Sequence, residues 1–283
     1  MSGILYLAAT PIGNLEDLTP RVARLLGEAD FVAAEDTRVT LKLLNHLGIK
    51  KELVSYHRHS DHDRAAYILN RIAAGEVCVL CCDAGTPGIS DPGEELVMMA
   101  AEAGIPVVPL PGACAAIAAL VASGLVTGRF CFEGFLPQNR RNRRERLSEL
   151  ISERRTMIFY EAPHKLNATL ADLCGAFGPA RRVTLARELT KLHEELIRTD
   201  LAGAVERFAG ELPRGEFVLV VEGAPSAAKP QPQPRQEALL LARRLVADGV
   251  KPAAACREAA VRTGTDRKEI YRLLAEEKEE KTQ

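Results

Sequence analysis

The sequence predicts an α/β protein built of two α/β domains with a small C-terminal helical domain. Three observations lead to this prediction. The chain has 283 residues, which is longer than most chains that fold around a single hydrophobic core. Up to about residue 123, apolar runs of strand length alternate with longer amphipathic segments, which is typical of βα units. A proline-rich segment then separates the last predicted strand from three short helical segments.

The first predicted domain comprises residues 1–125 and contains a mostly parallel sheet. Strands are expected at residues 4–9, 31–34, 53–56, 77–82 and 106–110. Helical segments lie between them, and crossover helices join strands that run in parallel.

The second predicted domain comprises residues 126–223 and contains a mixed sheet. Strands are expected at residues 130–135, 157–160, 183–186, 195–198 and 217–222. Several of them follow one another without an intervening helix, so antiparallel neighbours are expected beside parallel ones.

Residues 224–235 are predicted to be a linker, and residues 236–283 a helical, helix-turn-helix-like domain. The linker contains four prolines and no aromatic residue, a composition that favours a semi-extended chain. In the helical part, Thr263, Gly264 and Thr265 form a short turn, and Asp266 with Glu269 fits a capping box. A nucleic-acid-binding module and a three-helix cap that packs on a partner both fit this pattern.

Composition indicates a folded protein without a membrane span. Apolar residues make up 47% of the chain and charged residues 27%, and no stretch approaches the roughly 18 uninterrupted apolar residues of a span. The N-terminus lacks the basic start of a secretory signal. We therefore expect a cytoplasmic protein.

Seven cysteines, an odd number, lie mainly in apolar surroundings and are expected to be reduced. Cys78 and Cys81 are spaced like metal ligands, but both fall in a predicted strand. Residues three apart on a strand point to opposite faces, so these two cannot hold one ion. The histidines His57, His59 and His62 lie in a polar loop and are expected to face solvent or substrate. No metal site is predicted.

The net charge of −1 hides a strongly basic segment. Residues 140–146 contain five arginines and one glutamate, and helical spacing places Arg140, Arg143 and Arg144 on one face. Arginine clusters of this kind bind nucleic-acid phosphates, although a solvated charged face is the alternative.

Three loops follow predicted strands of the first sheet, at residues 9–15, 83–92 and 109–116. Ligands of open α/β sheets bind beyond the carboxyl ends of the strands. Gly85 and Gly88 allow close approach of the backbone to a ligand, whereas Asp91 and Pro92 fit the N-cap and first position of the next helix. Such largely neutral loops suit a cationic ligand, such as a sulfonium, better than a phosphate. Ordinary turns are the alternative.

Five segments carry a family resemblance, at residues 10–15, 34–38, 83–88, 159–164 and 187–191. Over residues 3–223 the chain resembles the tetrapyrrole-methylase-like (class III) methyltransferases, most closely the branch that modifies small-subunit ribosomal RNA. The corrin and porphyrin branch usually carries a Gly-x-Gly-Pro-Gly-Asp type first loop. The different sequence at residues 9–14 favours RNA as the substrate.

The resemblance implies a homodimer that binds S-adenosylmethionine in the cleft between its two α/β domains. It also implies methylation of a cytidine ribose 2′-OH in small-subunit ribosomal RNA or the ribosomal particle. Two alternatives stay open: methylation of a tetrapyrrole or other small molecule, and a non-catalytic RNA-binding assembly factor.

The resemblance also assigns site residues. The cofactor-binding residues are Asp83, Gly85, Thr86, Pro87, Gly112, Ala113, Cys114, Tyr160 and Ala162, with Thr10, Pro11 and Gly13 as the cleft floor between cofactor and acceptor. The catalytic candidates are Glu35, Asp36, Arg38, Glu161 and Lys191. The RNA-binding candidates are His57, His59, Arg140, Arg141, Arg143, Arg144 and Arg187. For the charged candidates, a structural ion-pair network is the alternative.

Overall fold

A computed structural model describes residues 3–58, 62–210, 212–225 and 235–280. The chain forms two compact units, Met1–Ala224 and Pro225–Gln283. The first unit contains two five-stranded sheets, and the second contains three helices. Residues 59–61 and 226–234 are not among the described residues. His59 and most of the predicted linker therefore lie outside the described part of the chain.

The first sheet is parallel throughout, as the sequence predicts. Its strands are β1 (Ile4–Ala8), β2 (Phe31–Ala34), β3 (Glu52–Ser55), β4 (Val77–Cys81) and β5 (Val107–Leu110), in the spatial order β3-β2-β4-β1-β5. The helices around it are α1 (Pro20–Glu28), α2 (Thr37–His46), α3 (His62–Ala73) and α4 (Glu94–Glu102). Because β4, β1 and β5 are direct neighbours, the three loops that follow them meet at one edge of the sheet.

Strand β4 is buried on both faces of the sheet. Cys78 packs with Phe31 and Leu5 on one face, whereas Cys81 packs with Val32 and Ala8 on the other. The opposite orientation predicted for the two cysteines is confirmed. Burial raises the pKa of both thiols to about 12, so they are protonated at neutral pH.

The second sheet is mixed, also as predicted. Its strands are β6 (Phe130–Phe135), β7 (Thr156–Glu161), β8 (Arg182–Arg187), β9 (Glu195–Asp200) and β10 (Phe217–Val221), in the order β6-β7-β10-β8-β9. Only the β6–β7 pairing is parallel. The accompanying helices are α5 (Ala115–Ala122), α6 (Arg140–Leu150), α7 (Leu166–Phe177) and α8 (Leu201–Arg207). The expectation that several strands lack an intervening helix is wrong, because only β8 and β9 follow one another directly.

Helix α5 links the two sheets, because it starts just after β5 but packs on the second sheet. Ala119 and Leu120 lie against Ile158, Ala186 and neighbouring residues in one buried cluster. The opposite face of the second sheet is covered by a larger cluster. The loop before α5 is thereby held close to the ends of β7 and β8.

The C-terminal unit consists of α9 (Arg235–Ala247), α10 (Pro252–Thr263) and α11 (Arg267–Glu280) around a core of small and branched side chains. Gly264 ends α10 in a left-handed conformation with φ of 68°. The Asp266 carboxylate accepts a hydrogen bond from the Lys268 amide, which caps α11. In the described part of the chain, every helix is too short or too polar to cross a bilayer.

Candidate functional site

A cleft of about 330 Å³ opens between the carboxyl-end loops of the first sheet and the edge of the second sheet. The first sheet and the start of α5 contribute Ile12, Ala84, Gly85, Thr86, Ile89, Ser90, Asp91, Cys114 and Ala115. The second sheet and its loops contribute Phe135, Tyr160, Glu161, Ala162, Pro163, Ala186, Leu189, Glu216, Phe217 and Val218. The cleft is of the size and mainly apolar character typical of small-molecule sites.

Hydrogen bonds join the three predicted loops into one wall of the cleft. The amide of Thr10 donates to the carbonyl of Gly85 (2.8 Å), and the amide of Gly85 donates to the carbonyl of Thr10 (3.0 Å). The Thr10 hydroxyl donates to the Cys82 carbonyl (3.2 Å), and the Thr86 hydroxyl donates to the Ala113 carbonyl (3.0 Å). Gly85 has φ of 84°, a conformation that glycine adopts readily.

Tyr160 closes the cleft from the second sheet. Its hydroxyl oxygen accepts a hydrogen bond from the amide of Ala116, at the start of α5 (3.1 Å). Burial raises the pKa of Tyr160 to about 12, so the side chain is a neutral phenol at physiological pH. Tyr160 therefore fixes the position of α5 relative to β7.

The charged residues lining the described cleft are all acidic: Asp91, Glu161 and Glu216. Of the three, only Asp91 belongs to the loops predicted to be largely neutral, whereas Glu161 ends β7 and Glu216 directly precedes β10. The pKa of Asp91 is raised to about 6, mainly by burial of the carboxyl group. The negative charge of Glu35 raises it further. Carboxylates in a partly buried cleft favour a ligand that carries positive charge.

Asp91 does not cap α4, contrary to the sequence prediction. The helix begins at Glu94, with Gly93 at the N-cap. Gly93 has φ of 141°, and a Cβ atom there would lie only 3.3 Å from the Gly88 amide nitrogen. Ser90 also has positive φ, 67°. The chain therefore bends twice before α4, and this bend leaves Asp91 on the cleft.

The acidic residues after β2 support the second loop from behind and do not line the cleft. The amide of Asp83 donates to the Glu35 carboxylate (3.2 Å), and the amide of Asp36 donates to the Asp83 carboxylate (3.1 Å). A hydrogen-bonded pair with Arg38 lowers the pKa of Asp36 to about 2. Glu35, Asp36 and Arg38 thus lie behind the loop that lines this cleft.

Glu161 is buried, and both of its carboxylate oxygens are hydrogen-bonded. Oε1 accepts from the Ala162 amide (2.9 Å), and Oε2 accepts from the Thr169 hydroxyl. Arg143 donates to the same hydroxyl (2.7 Å) and to the Asp172 carboxylate (2.6 Å). Only 14% of the Arg143 side chain is exposed, so this residue attaches α6 to α7.

Lys191 forms ion pairs with Glu188 (2.8 Å) and Glu216 (2.9 Å) beside the cleft. Partial burial lowers its pKa, but the hydrogen bonds to the two carboxylates outweigh burial and raise the pKa above its usual value. Lys191 is therefore a cation at neutral pH. Gly13 packs against it, since a Cβ at Gly13 would lie 2.4 Å from Lys191 Cγ.

The cleft contains some of the predicted cofactor-binding residues. Gly85, Thr86, Cys114, Tyr160 and Ala162 line it. The remaining seven lie outside its lining in the described structure: Thr10, Pro11, Gly13, Asp83, Pro87, Gly112 and Ala113. Thr10 and Ala113 instead make the hydrogen bonds between loops, and Gly112 packs against Ala9.

Of the residues that the second sheet contributes, the sequence predicted Tyr160, Glu161 and Ala162 but missed the apolar ones on neighbouring strands. Phe135, Ala186, Phe217 and Val218 come from three different strands. Each of these strands has an apolar pattern like that of any buried strand. Only the strand order reveals that their ends converge on one cleft.

The predicted RNA-binding residues lie on several surfaces. Arg140, Arg141, Arg144 and His57 are exposed. Arg141 forms an exposed ion pair with Glu145, one turn along α6. Arg187 is half-buried, and its Nε donates to the Arg214 carbonyl (2.8 Å).

Comparison with known proteins gives a consistent result. The sequence matches the family described as Tetrapyrrole (Corrin/Porphyrin) Methylases over residues 4–205. It is 49% identical over 277 residues to ribosomal RNA small subunit methyltransferase I of Synechocystis sp., an alignment that covers 97% of this chain and 98% of that protein. It is 44% identical over 278 residues to the protein of the same name from Halalkalibacterium halodurans, covering 97% and 96%.

A solved structure has a similar fold. The methyltransferase CobJ aligns with a TM-score of 0.58 and 23% identity, covering 79% of this chain and 95% of that chain.

Replacing Asp91 by Asn is expected to stabilise the protein at neutral pH. The folded-state pKa of about 6 lies above the ordinary value of 3.8, so ionising Asp91 costs stability as pH rises through about 6. After discounting for partial exposure, we expect Asp91→Asn to raise the free energy of unfolding by about 1 kcal/mol at pH 7. The difference from wild type should vanish below pH 4.

Urea denaturation of both proteins between pH 4 and pH 8 measures this difference. A gap that does not change with pH, or a less stable variant at pH 7, would contradict the role of Asp91 ionisation.

Proposed function

The chain belongs to the tetrapyrrole (corrin/porphyrin) methylase family, and we propose that it is an S-adenosylmethionine-dependent methyltransferase whose substrate is small-subunit ribosomal RNA. The observation that carries the proposal is a cleft whose charged lining is acidic, in a chain that aligns along almost its whole length with proteins named ribosomal RNA small subunit methyltransferase I. We place its action in the cytoplasm, on ribosomal RNA or the assembled particle.

The residues of the cleft fit this donor. When bound, S-adenosylmethionine supplies an electrophilic methyl group on a positively charged sulfur. Asp91 offers negative charge to such a cation, and Gly85, Thr86 and Cys114 form a close wall on which a flat ligand can lie. The hydrogen bonds between Thr10 and Gly85 hold this wall in place before any ligand binds. Preorganisation of this kind reduces the entropic cost of binding.

We propose the ribose 2′-OH of a cytidine as the acceptor. Holding the acceptor oxygen in line with the methyl group can supply roughly 7–11 kcal/mol of the barrier, so positioning is the main task of the protein. Asp91, Glu161 and Glu216 are the carboxylates that line the cleft and could accept the hydroxyl proton. Glu188 and Glu216 hold Lys191 as a cation, which argues against this residue as the base.

The exposed arginines of α6 are proposed to contact RNA phosphates. Arg140 and Arg144 form no ion pair within the described residues, and the partner of Arg141 is an exposed glutamate, an interaction of small value. Arg143 is left out of this proposal, because Thr169 and Asp172 already occupy its guanidinium group.

The protein is further proposed to form a homodimer through the outer face of α5. This helix packs on the second sheet with one face, whereas Ile117 and Val121 on its other face are 44% and 68% exposed. Val126, just after the helix, is 72% exposed. A group of branched apolar side chains outside the core is typical of a surface that a second subunit covers.

Methyl transfer to small ribosomal subunits tests the proposed function. Subunits from cells that lack this enzyme should accept labelled methyl groups from S-adenosylmethionine. The label should survive alkaline hydrolysis within a dinucleotide, because a 2′-O-methyl group prevents attack on the adjacent phosphodiester.

Porphyrinogens serve as control acceptors, and calorimetry with the donor alone measures cofactor binding. Label in the porphyrinogen but not in RNA would contradict the RNA assignment. RNA binding without donor binding would instead favour a non-catalytic assembly factor.

Substituting Arg140, Arg141 and Arg144 together by Gln should weaken the salt dependence of RNA binding. Each lost phosphate contact changes the slope of log K against log salt by about 0.7 to 0.9. The slope of the triple variant should therefore be smaller in magnitude by between about 2 and 3. The measurement is RNA affinity at several salt concentrations. Arg143→Gln is the matched control, expected to lower the melting temperature without changing the slope. An unchanged slope in the triple variant would contradict the phosphate assignment.

Introducing charge on the outer face of α5 should separate the proposed dimer. The double variant Ile117→Asp, Val121→Asp is expected to be monomeric, because burying two unpaired carboxylates costs more than the interface gains. Light scattering after size exclusion measures the mass. Val261→Asp, at a valine of the C-terminal unit that is 81% exposed, is the control and should stay dimeric. A monomeric wild-type protein would contradict the dimer.

A further inference from the structure

Phe135 is a large apolar side chain that the protein core does not use. It lines the cleft, yet 56% of its surface is exposed. Its ring meets that of Tyr160 edge-on, with 5.7 Å between centroids and 66° between planes. One side of the ring is therefore packed, and the rest of it faces the open cleft.

A β-bulge places Phe135 at this position. Residues three apart on a regular strand point to opposite faces, but Phe132 and Phe135 both contact the ring of Tyr160. The register between β6 and β7 shifts between Phe132 and Gly134, and Gly134 has φ of 61°. Bulges with a left-handed glycine redirect the side chains that follow, and they are common next to active sites.

The bulge also contacts the second loop of the cleft. A Cβ atom at Gly134 would lie 3.2 Å from the Ser90 hydroxyl oxygen. Ser90 is itself in a left-handed conformation and directly precedes Asp91. The orientation of the Phe135 ring and the position of the Asp91 carboxylate are thus set by two segments in contact.

Phe135 lies where the charge of the surface changes sign. The described cleft behind it has an acidic charged lining, whereas α6 begins five residues later with Arg140, Arg141 and Arg144 exposed. Five residues span at most about 18 Å, so Arg140, the nearest of these arginines along the chain, lies within reach of phosphates close to a nucleotide at the ring. Acidic side chains repel phosphates, so an RNA strand would run outside the cleft along α6 while one nucleoside enters.

We propose that Phe135 stacks on the nucleobase of the nucleotide that is methylated, and so orients its ribose toward the cleft. The inference rests on the proposed function, because it needs an RNA acceptor. Protein recognition of unpaired RNA relies on stacking of splayed bases on aromatic side chains. A stacked base fixes the plane of the nucleoside, and the remaining freedom of the sugar is small. Phe135 then acts as a substrate-binding residue of the acceptor site.

The test compares Phe135→Leu, Phe135→Tyr and Phe130→Leu in the full-length protein. Leucine removes the ring, whereas tyrosine keeps it. Phe130 lies at the other end of the same strand and is 39% exposed, so Phe130→Leu controls for the loss of a surface ring from β6. The measurements are KM and kcat for methylation of unmodified small subunits, and calorimetric affinity for S-adenosylmethionine alone.

We expect Phe135→Leu to raise the KM for the subunit about tenfold or more, in line with the usual value of one stacked base. Affinity for the donor alone should change less than twofold. Phe135→Tyr and Phe130→Leu should both stay within about twofold of the wild type. Equal melting temperatures would show that the variants fold.

Two results would overturn the proposal while leaving the proposed function intact. Wild-type KM in Phe135→Leu would show that the ring does not touch the acceptor. If the affinity for S-adenosylmethionine falls by the same factor as the KM for the subunit rises, the ring belongs to the donor site. A wild-type protein that does not methylate small subunits would overturn the proposed function, and the acceptor-base proposal with it.

Discussion

The pair of backbone hydrogen bonds between Thr10 and Gly85 is the contact on which the cleft depends. These bonds connect the loop after β1 to the loop after β4, and the Thr86 hydroxyl continues the connection to the loop after β5. They form because β1 lies between β4 and β5 in a parallel sheet, so that all three loops leave the same edge. Helix α5 and Tyr160 then hold the second sheet against this wall. The site is thus a product of backbone geometry more than of individual side chains.

Charge is distributed on this scaffold in two zones. The charged lining of the described cleft consists of Asp91, Glu161 and Glu216, whereas the start of α6 outside it exposes arginines. The two zones are linked through a chain of hydrogen bonds, since Arg143 and Glu161 share the hydroxyl of Thr169. An acidic interior beside a basic rim suits a cationic donor and an anionic polymer that must meet at one place.

The sequence was sufficient to locate the strands of both sheets along the chain, and the loops that make one wall of the cleft. Apolar periodicity and the glycines and prolines at strand ends carry that information locally. Asp91 and Phe135 were beyond its reach for a common reason: each is oriented by left-handed backbone, at Ser90 and Gly93 or at Gly134, which periodicity does not report. Arg143 could not be told from its neighbours either, because its partners Thr169 and Asp172 belong to another helix.

The acidic lining has a consequence for how the enzyme would complete a cycle. S-adenosylmethionine held here would carry a positive charge at sulfur, whereas the thioether that remains after loss of the methyl group would be neutral there. The attraction of the Asp91 carboxylate would therefore apply to the donor and not to the thioether, whereas the apolar lining would serve both. Charge in the lining would in this way favour the loaded form of the cofactor over the spent form.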